Sequence, residues 1–258
     1  MRTPPYLFAA DRWVGLEVLH RLTALGDPPT VLCTAQTATA SHDRQLRAAF
    51  RDAGGEHIIG GGELGDPDTL DWLRSLDLDV AVAVQFPHLV RPDALGVPAR
   101  GWVNVHPAYL PYNRGWHTPS WAILDSTPAG VTVHEMVEEV DAGGIIAQRE
   151  VPVEPSDTAH SLYQRLLAAE VDLLLETWPT IRGPEPWDVV VPEGGTVHRK
   201  SELFDDSIQK LSLDAHERVG ALLDRLRALT TDRVEEAAWF EVGDRRFRVQ
   251  VRIEEDPG

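Results

Sequence analysis

The stretch DVAVAVQF, residues 79–86, decides the fold class of this chain. Its central residues are all apolar instead of alternating with polar ones, which is the pattern of a strand buried on both faces of its sheet. The segments PYLFAA (5–10) and TVLCT (30–34), further upstream, show the same pattern. Strands of this kind occur in parallel sheets that helices cover on both sides, so the sequence predicts an α/β protein.

Helical patterns separate these strands. Apolar residues recur three or four positions apart in WVGLEVLHRLTAL (13–25), HDRQLRAAFRDAG (42–54) and DPDTLDWLRSL (66–76). Two more short strands are predicted at EHIIGG (56–61) and GWVNVH (101–106). This alternation predicts a doubly wound, mostly parallel, Rossmann-like sheet. No G-x-G-x-x-G fingerprint directly follows the first predicted strand, and the sequence contains no P-loop, which argues against NAD and ATP as ligands.

The pattern changes after residue 125. GVTVHEMV (130–137) and GIIAQREVPV (144–153) are predicted strands, joined through EEVDAGG (138–144). A long amphipathic helix is predicted to follow at 158–181. These elements complete the first domain.

A Pro- and Gly-rich segment, RGPEPWDVVVPEGGTVHRK, then indicates a domain boundary. We expect a first domain over residues 1–183 and a small C-terminal α+β module over residues 184–258. The module is predicted to hold a helix at 214–229 and a β-hairpin at 237–253, with its turn at Val242-Gly243-Asp244.

Composition narrows the range of partners. The 258 residues carry 41 acidic and 24 basic side chains, a net charge of −17. Such a chain repels polyanions, and no basic patch interrupts it, so we expect no nucleic-acid partner. The single cysteine, Cys33, leaves no thiolate cluster for a metal. Without a signal peptide or a membrane-spanning run, we expect a cytoplasmic protein with no membrane partner.

The segment NVHPAYLPYNRGWHTPSWAIL (104–124) is unusually dense in polar and aromatic side chains, and its prolines argue against a helix. Asn104 and His106 lie two residues apart at the end of a predicted strand, so both side chains project to the same side. Ligands of open α/β sheets bind beyond the carboxyl ends of the strands. An imidazole beside an amide donor can transfer protons and stabilise an oxyanion. Asp141 could bring a carboxylate to this pair.

Several of these residues also have purely structural interpretations. Asp141, before two glycines, is a common turn residue, and His134 is interpreted as a hydrogen-bonded strand histidine. The spacing of His106, His117, His134 and Asp141 matches no zinc motif, so no metal is expected.

In order along the chain, N-V-H-P-x-x-L-P, R-G, P-x-W-A-I, G-V-T-V-H and D-A-G-G-I-I-A-Q resemble the formyltransferases that use 10-formyltetrahydrofolate. The ordered resemblance covers roughly residues 79–181. It implies that Asn104, His106 and Asp141 are the catalytic set. Asn104 and protonated His106 would stabilise the oxyanion formed when an amine attacks the formyl carbon, and Asp141 would orient His106 and help to move the amine's proton.

The same resemblance implies that 10-formyltetrahydrofolate is the co-substrate. Its pterin would be held largely by main-chain groups of two segments, QFPHLV (85–90) and EEVDAGG (138–144). The residues expected there are Phe86, His88, Leu89, Val90, Glu138, Val140 and Asp141.

The loop A-Y-L-P-Y-N-R-G and the tail pattern T-V-H-R-K…D-S-I…L-R-A-L-T resemble the sugar N-formyltransferases in particular. This implies a small-molecule acceptor, an amino-dideoxy sugar linked to dTDP or UDP. Trp239 or Phe240 would stack on the base, and local cations would meet the diphosphate. The expected substrate-binding residues are Tyr109, Arg114, Trp116, His117, Arg199, Lys200 and Trp239. The tail hairpin predicts a homodimer.

Three other functions remain open from the sequence. The acceptor could be an amino acid or a peptide-like amine, because a hexose pocket and a peptide pocket leave the same sequence pattern. A formyltetrahydrofolate hydrolase would use the same three residues with water as acceptor. A binding protein without turnover would be free to lose any of the three, and all of them are present.

Overall fold

The structure is a computed structural model that describes residues 4–38, 40–256 and 258. The strands are β1 (Tyr6–Ala10), β2 (Val31–Thr34), β3 (His57–Gly60), β4 (Val80–Val84), β5 (Trp102–His106), β6 (Arg114–Gly115), β7 (Gly130–Glu135), β8 (Ile145–Glu150), β9 (Val197–His198), β10 (Ala238–Val242) and β11 (Arg245–Val249). The helices are α1 (Arg12–Ala24), α2 (Asp43–Asp52), α3 (Pro67–Arg74), α4 (Pro92–Leu95), α5 (Thr118–Leu124), α6 (Ala159–Arg182), α7 (Asp206–Gln209) and α8 (Val219–Ala228).

Seven strands form one sheet in the order β3-β2-β1-β4-β5-β7-β8. The first five pair in parallel, and β7 pairs antiparallel with β5. The chain moves outward from β1 to β3, returns to β4 on the other side of β1, and continues outward again. The prediction of a doubly wound, mostly parallel sheet is confirmed.

The continuous apolar strands form the core of this sheet. All residues of β1, β2 and β4 are buried, as their uninterrupted hydrophobicity predicts. Helix α1 buries Val14, Val18 and Leu22, which lie one helical turn apart on one face. Each fully buried aliphatic side chain stabilises the fold by roughly 1.5–3 kcal/mol relative to exposure.

One local prediction was wrong. The last third of residues 104–124 is not a loop, because residues Thr118–Leu124 form helix α5. Pro119 lies in the first turn of this helix. The amide that proline lacks would have no helical partner at that position, so the ring does not disrupt the helix.

Elsewhere the predicted elements are found with small shifts. Helix α8 is shorter than the predicted 214–229, and the hairpin of β10 and β11 turns at Gly243-Asp244, where Gly243 has a positive φ of 58°. The very short elements β6, β9, α4 and α7 were not predicted. None of the described helices is long and apolar enough to cross a membrane.

The described chain divides into two compact units of three segments each. The first comprises Met1–His106, Thr132–Gln148 and Glu170–Pro192, and the second comprises Pro107–Val131, Arg149–Ala169 and Glu193–Gly258. The second unit is discontinuous because earlier segments pack on the C-terminal residues. Its apolar cluster unites residues from four elements or loops: Trp121, Leu203, Leu229 and Ala238.

Strands β6 and β9 also join distant segments within the second unit. Gly115 is paired with His198 in this ladder and has a φ of +96°. A Cβ atom at residue 115 would lie 2.4 Å from the carbonyl oxygen of His198. Only glycine allows so close an approach of the two backbones.

Candidate active site

The carboxyl end of β5 carries two of the predicted catalytic side chains. Asn104 and His106 are separated by the buried Val105 and are themselves partly exposed, as expected for alternate residues of a strand. In the antiparallel pairing with β7, Asn104 lies opposite His134 and His106 lies opposite Thr132. Directly opposite residues of antiparallel strands project to the same face, so this register adds His134 to the pair.

The structure brings four polar side chains together at this point. The Nε2 atom of His106 lies 3.4 Å from Oδ2 of Asp141, and Nε2 of His134 lies 3.7 Å from Oδ1 of the same carboxylate. The amide nitrogen of Asn104 lies 3.2 Å from Nε2 of His134. The imidazole rings of His106 and His134 are 6.3 Å apart and nearly perpendicular. The predicted Asn/His/Asp group is therefore spatially compact.

Backbone geometry explains how Asp141 reaches this position. Asp141 has a φ of 53°, in the left-handed region that Asp tolerates better than most residues. The following chain folds back on β7, where the Glu135 amide donates to the carbonyl of Gly144 at 2.9 Å. A Cβ atom on Gly143 would lie 1.9 Å from the Glu135 carbonyl oxygen. Gly143 of DAGG is thus required by its close approach to the backbone of β7.

Hydrogen bonding fixes the tautomer of His134. Its Nδ1 atom donates to the carbonyl of Glu135 at 2.7 Å, because a carbonyl can only accept. With the hydrogen on Nδ1, Nε2 is the acceptor for the amide of Asn104. An amide nitrogen has two hydrogens, so this bond leaves the second N–H of Asn104 for a ligand oxygen.

Burial keeps His134 neutral. The pKa of its imidazole is lowered to about 4 by burial, with a further decrease from His106, while the Asp141 carboxylate and the bond to Glu135 act in the opposite direction. A neutral Nε2 acceptor cannot donate to Asp141, so their 3.7 Å separation is not an ion pair. His134 therefore orients Asn104 and does not transfer protons. Sequence reasoning noted a hydrogen-bonded strand histidine but not this contact, since the strand register is not readable from the sequence.

His106 presents an incomplete hydrogen-bonding pattern. Its Nε2 atom is buried without a hydrogen-bond partner, and the Asp141 carboxylate is its nearest acidic group. A buried polar atom without a partner is uncommon in a folded protein. Its position beside Asn104 is that of a group suited to bind a ligand atom.

The residues predicted to bind the cofactor all lie in the first unit. Leu89 and Val140 expose 72% and 54% of their surface, whereas Val90 is buried. The His88 ring is bonded to the carbonyl of Ala35 and lies 5.1 Å from the ring of Phe86. Glu138 is exposed.

The residues predicted to bind the acceptor lie in the second unit. Pairing of β6 with β9 brings Trp116 close to Lys200, whose ammonium lies 4.7 Å from the centre of the half-exposed indole. His117 packs on Phe204 at 5.1 Å, and burial lowers the pKa of its imidazole. The Arg199 amide donates to the side chain of Glu202.

Burial disfavours the prediction that Trp239 stacks on the nucleotide base. Trp239 is only 2% exposed, and its ring is covered by the guanidinium of Arg246 at 3.7 Å and the ammonium of Lys210 at 4.9 Å. Its indole is thus part of the packing of the tail and offers little surface for stacking on a base. The alternative aromatic, Phe240, stacks on Phe247 with ring centres 5.4 Å apart.

Among the described residues, no group of three or more His, Cys, Asp or Glu side chains has the arrangement of a metal site.

Comparison with known proteins assigns the chain to a family. Residues 23–178 match the formyl transferase family, which is more than half of the chain. The chain belongs to the formyl transferase family. Residues 204–255 of this formyl transferase match the N-formyltransferase dimerization C-terminal domain.

Two curated relatives illustrate the range of the family. The chain is 37% identical over 152 residues to dTDP-4-amino-4,6-dideoxyglucose formyltransferase of Mycobacterium tuberculosis, covering 59% of this chain and 64% of that protein. It is 34% identical over 176 residues to methionyl-tRNA formyltransferase of Acidothermus cellulolyticus, covering 66% of this chain and 54% of the relative. The matches thus span less than two thirds of these relatives.

Solved structures agree with the fold over almost the whole chain. A candidate sugar N-formyltransferase from Mycobacterium tuberculosis superposes with a TM-score of 0.79 at 26% identity, covering 99% of this chain and 100% of that one. A sugar N-formyltransferase from a Shewanella species gives a TM-score of 0.82 at 20% identity with the same coverage. The prediction of a Rossmann-like formyltransferase core with a small C-terminal module is confirmed.

We expect the neutral state of His134 to make stability depend on pH. The folded protein resists protonation of this ring down to about pH 4, whereas an unfolded histidine takes up its proton near 6.5. Between these values the unfolded state binds more protons, so stability falls as the pH falls, by up to roughly 1.4 kcal/mol per pH unit. Urea unfolding of the wild type and His134→Gln from pH 4.5 to 7.5 measures this, and equal slopes would contradict a buried neutral ring.

Proposed function

We propose that this formyl transferase moves the formyl group of 10-formyltetrahydrofolate to the primary amine of a nucleotide-linked amino-dideoxy sugar. The observation that carries the proposal is the convergence of Asn104, His106 and Asp141 at the carboxyl end of β5, within 3.4 Å for the histidine and carboxylate. Similarity to dTDP-4-amino-4,6-dideoxyglucose formyltransferase makes a dTDP-linked 4-amino sugar the first acceptor to test.

When bound, the folate supplies an activated formyl carbon to which a primary amine can add. As the new carbon–nitrogen bond forms, the formyl oxygen gains negative charge. Asn104 donates the N–H that is not bonded to His134, and His106 adds a positively charged donor when it holds a proton. Removal of one such oxyanion donor typically lowers the rate by about 10²–10³-fold.

Asp141 transfers the proton that the attacking amine must lose. The amine loses a proton after it has bonded to the formyl carbon, and the departing folate nitrogen must gain one when its bond to that carbon breaks. The Asp141 carboxylate, 3.4 Å from His106, can accept the first and return it through the imidazole. General acid–base help of this kind contributes roughly 10²–10⁴-fold.

The first unit offers suitable groups for the folate. Leu89 and Val140 are apolar and more than half exposed, so a flat aromatic ring system would cover them favourably. The orphaned Nε2 of His106 would gain a polar partner from the bound ligand. The pterin edge would bond to main-chain groups of residues 85–90 and 138–141.

The second unit offers a cation beside an aromatic ring for the acceptor. The ammonium of Lys200 lies over Trp116, which is 47% exposed, and Arg199 follows in the chain. An aromatic face suits the apolar side of a sugar, and the ammonium suits a diphosphate. In a chain with a net charge of −17, a diphosphate requires such local cations.

Methionyl-tRNA formyltransferase is also similar to this chain, so a transfer RNA acceptor needs separate consideration. The net charge of −17 disfavours a large polyanion, because its phosphates would be repelled over most of the surface. A nucleotide sugar carries only two phosphates. The acidic composition therefore favours the small acceptor.

We also propose that the protein is a cytoplasmic homodimer that pairs through its C-terminal residues. The match of residues 204–255 to a dimerization domain supports this proposal. The hairpin of β10 and β11 exposes Val242 at 55%, which a partner would cover.

His106→Ala should lower kcat/KM for formyl transfer by at least about 10²-fold, because it removes a charged donor and a proton carrier. The measurement is product mass from 10-formyltetrahydrofolate and a panel of amines: dTDP- and UDP-linked amino sugars, amino acids and water alone. His20→Ala, an exposed histidine on α1, is the matched control and should retain full activity. A wild-type rate in His106→Ala would remove the proposed catalyst.

Stabilisation by a bound ligand should distinguish a nucleotide-sugar acceptor from a transfer RNA acceptor. At about a hundredfold excess over its Kd, dTDP should stabilise the protein by roughly 2.7 kcal/mol, a Tm increase of about 5–10 °C. Transfer RNA should give no increase at physiological salt. Lys200→Ala should reduce the dTDP effect, whereas Lys210→Ala, which also removes an ammonium from a tryptophan ring, should not. Tight binding of transfer RNA would reverse the assignment.

Scattering or sedimentation should give twice the mass of one chain. Val242→Glu should shift the protein towards monomers, because it places a charge in the proposed contact. Val137→Glu alters another exposed valine, in the first unit, and should leave the dimer intact. A monomeric wild type would contradict the proposed assembly.

A further inference from the structure

A buried carboxyl group lies under the start of the proposed pterin segment. Glu170, on α6, is completely buried, and its Oε2 accepts a hydrogen bond of 2.7 Å from Nε2 of Gln85. Gln85 is the first residue after β4 and the first of segment 85–90. The proposed chemistry at Asp141 makes no use of Glu170.

The backbone of Gln85 is in a conformation that needs support. Its φ is 53°, in the left-handed region, where a residue with a side chain costs roughly 1–2 kcal/mol. Such conformations persist only where surrounding contacts determine them. The hydrogen bond to Glu170 ties the Gln85 side chain to a helix 85 residues away in sequence. It therefore helps to determine the direction in which the chain leaves the sheet.

The surroundings of Glu170 favour its neutral form. Burial raises the pKa of its carboxyl group to about 8, while the hydrogen bond from Gln85 and the charge of Arg12 lower it to a smaller extent. Among the described residues, Arg12 at the start of α1 is the charged side chain that contributes to this shift, and its positive charge lowers the pKa of Glu170. A neutral carboxyl accepts from Gln85 through one oxygen, and the other, Oε1, is buried without a hydrogen-bond partner.

We propose that Glu170 is a positioning residue for the folate site: its carboxyl group holds the Gln85 side chain and so sets the main chain of residues 85–90. The inference deepens the proposed function, because it depends on these residues binding the pterin. It assigns Glu170 no contact with substrate. Its role is to keep the left-handed residue at the end of β4 in one conformation.

Three variants test this role. Glu170→Gln keeps a carbonyl acceptor of the same shape and cannot ionise. Glu170→Leu keeps the volume and removes the acceptor. Gln85→Gly removes the other partner and favours the left-handed backbone. The two readouts are the Kd of 5-formyltetrahydrofolate, a stable folate, and hydrogen exchange of the amides in residues 85–90 of the unliganded protein.

At pH 7, Glu170→Leu should weaken folate binding about tenfold and accelerate exchange in residues 85–90, because one buried hydrogen bond is lost. Glu170→Gln should match the wild type at pH 7, because its side-chain carbonyl can accept the same hydrogen bond from Gln85. In a Gln85→Gly background, Glu170→Leu should have no further effect on either readout, since the residue that transmits it is gone.

Unchanged exchange and unchanged Kd in Glu170→Leu would overturn the inference. So would an effect of Glu170→Leu that persists in full beside Gln85→Gly, or a Glu170→Gln variant as weak as Glu170→Leu at pH 7. Failure of the proposed function looks different: the wild type would bind no folate, while exchange in residues 85–90 would still respond to Glu170→Leu.

Discussion

The antiparallel pairing of β5 with β7 is the constraint on which the site depends. The other neighbour of β5 is β4, which pairs with it in parallel, whereas β7 runs antiparallel to β5. Residues 107–129, which include β6 and α5, connect β5 to this antiparallel partner. It places His134 opposite Asn104 and ends at the turn that carries Asp141. One strand reversal thus assembles residues that lie 37 positions apart in the sequence, from Asn104 to Asp141.

The two histidines of the site, His106 and His134, have distinct electrostatic roles. His134 is neutral and bonded on both nitrogens, so it acts as a fixed dipole that orients an amide. His106 has a buried nitrogen without a hydrogen-bond partner beside a carboxylate, so it is the one suited to exchange protons with a ligand. Burial and hydrogen bonding, rather than residue type, distinguish them. A cluster of polar residues therefore need not contain several catalysts.

The sequence was sufficient for the doubly wound, mostly parallel sheet, for the position of Asn104 and His106, and for the loop that carries Asp141, because strand hydrophobicity and motif spacing are local properties. It was insufficient for features that depend on contacts between residues far apart in the sequence. The partnership of Asn104 with His134 depends on strand register, and the burial of Trp239 depends on Arg246 and Lys210. Helix α5 was missed because Pro119 was counted against a helix without regard to its place in the first turn. The link from Glu170 to Gln85 spans 85 residues and leaves no local pattern.

The carbonyl of Glu135 connects two features of the site that otherwise look independent. It accepts the Nδ1 hydrogen of His134, and a Cβ atom at residue 143 would lie only 1.9 Å from it. A side chain at residue 143 would have to displace that carbonyl, and the imidazole would lose the acceptor that decides which of its nitrogens is protonated. The absence of a side chain at residue 143 thus preserves the carbonyl that keeps the hydrogen on Nδ1 of His134. Nε2 of that ring then remains an acceptor, which sets the direction of the Asn104 amide in the adjacent strand.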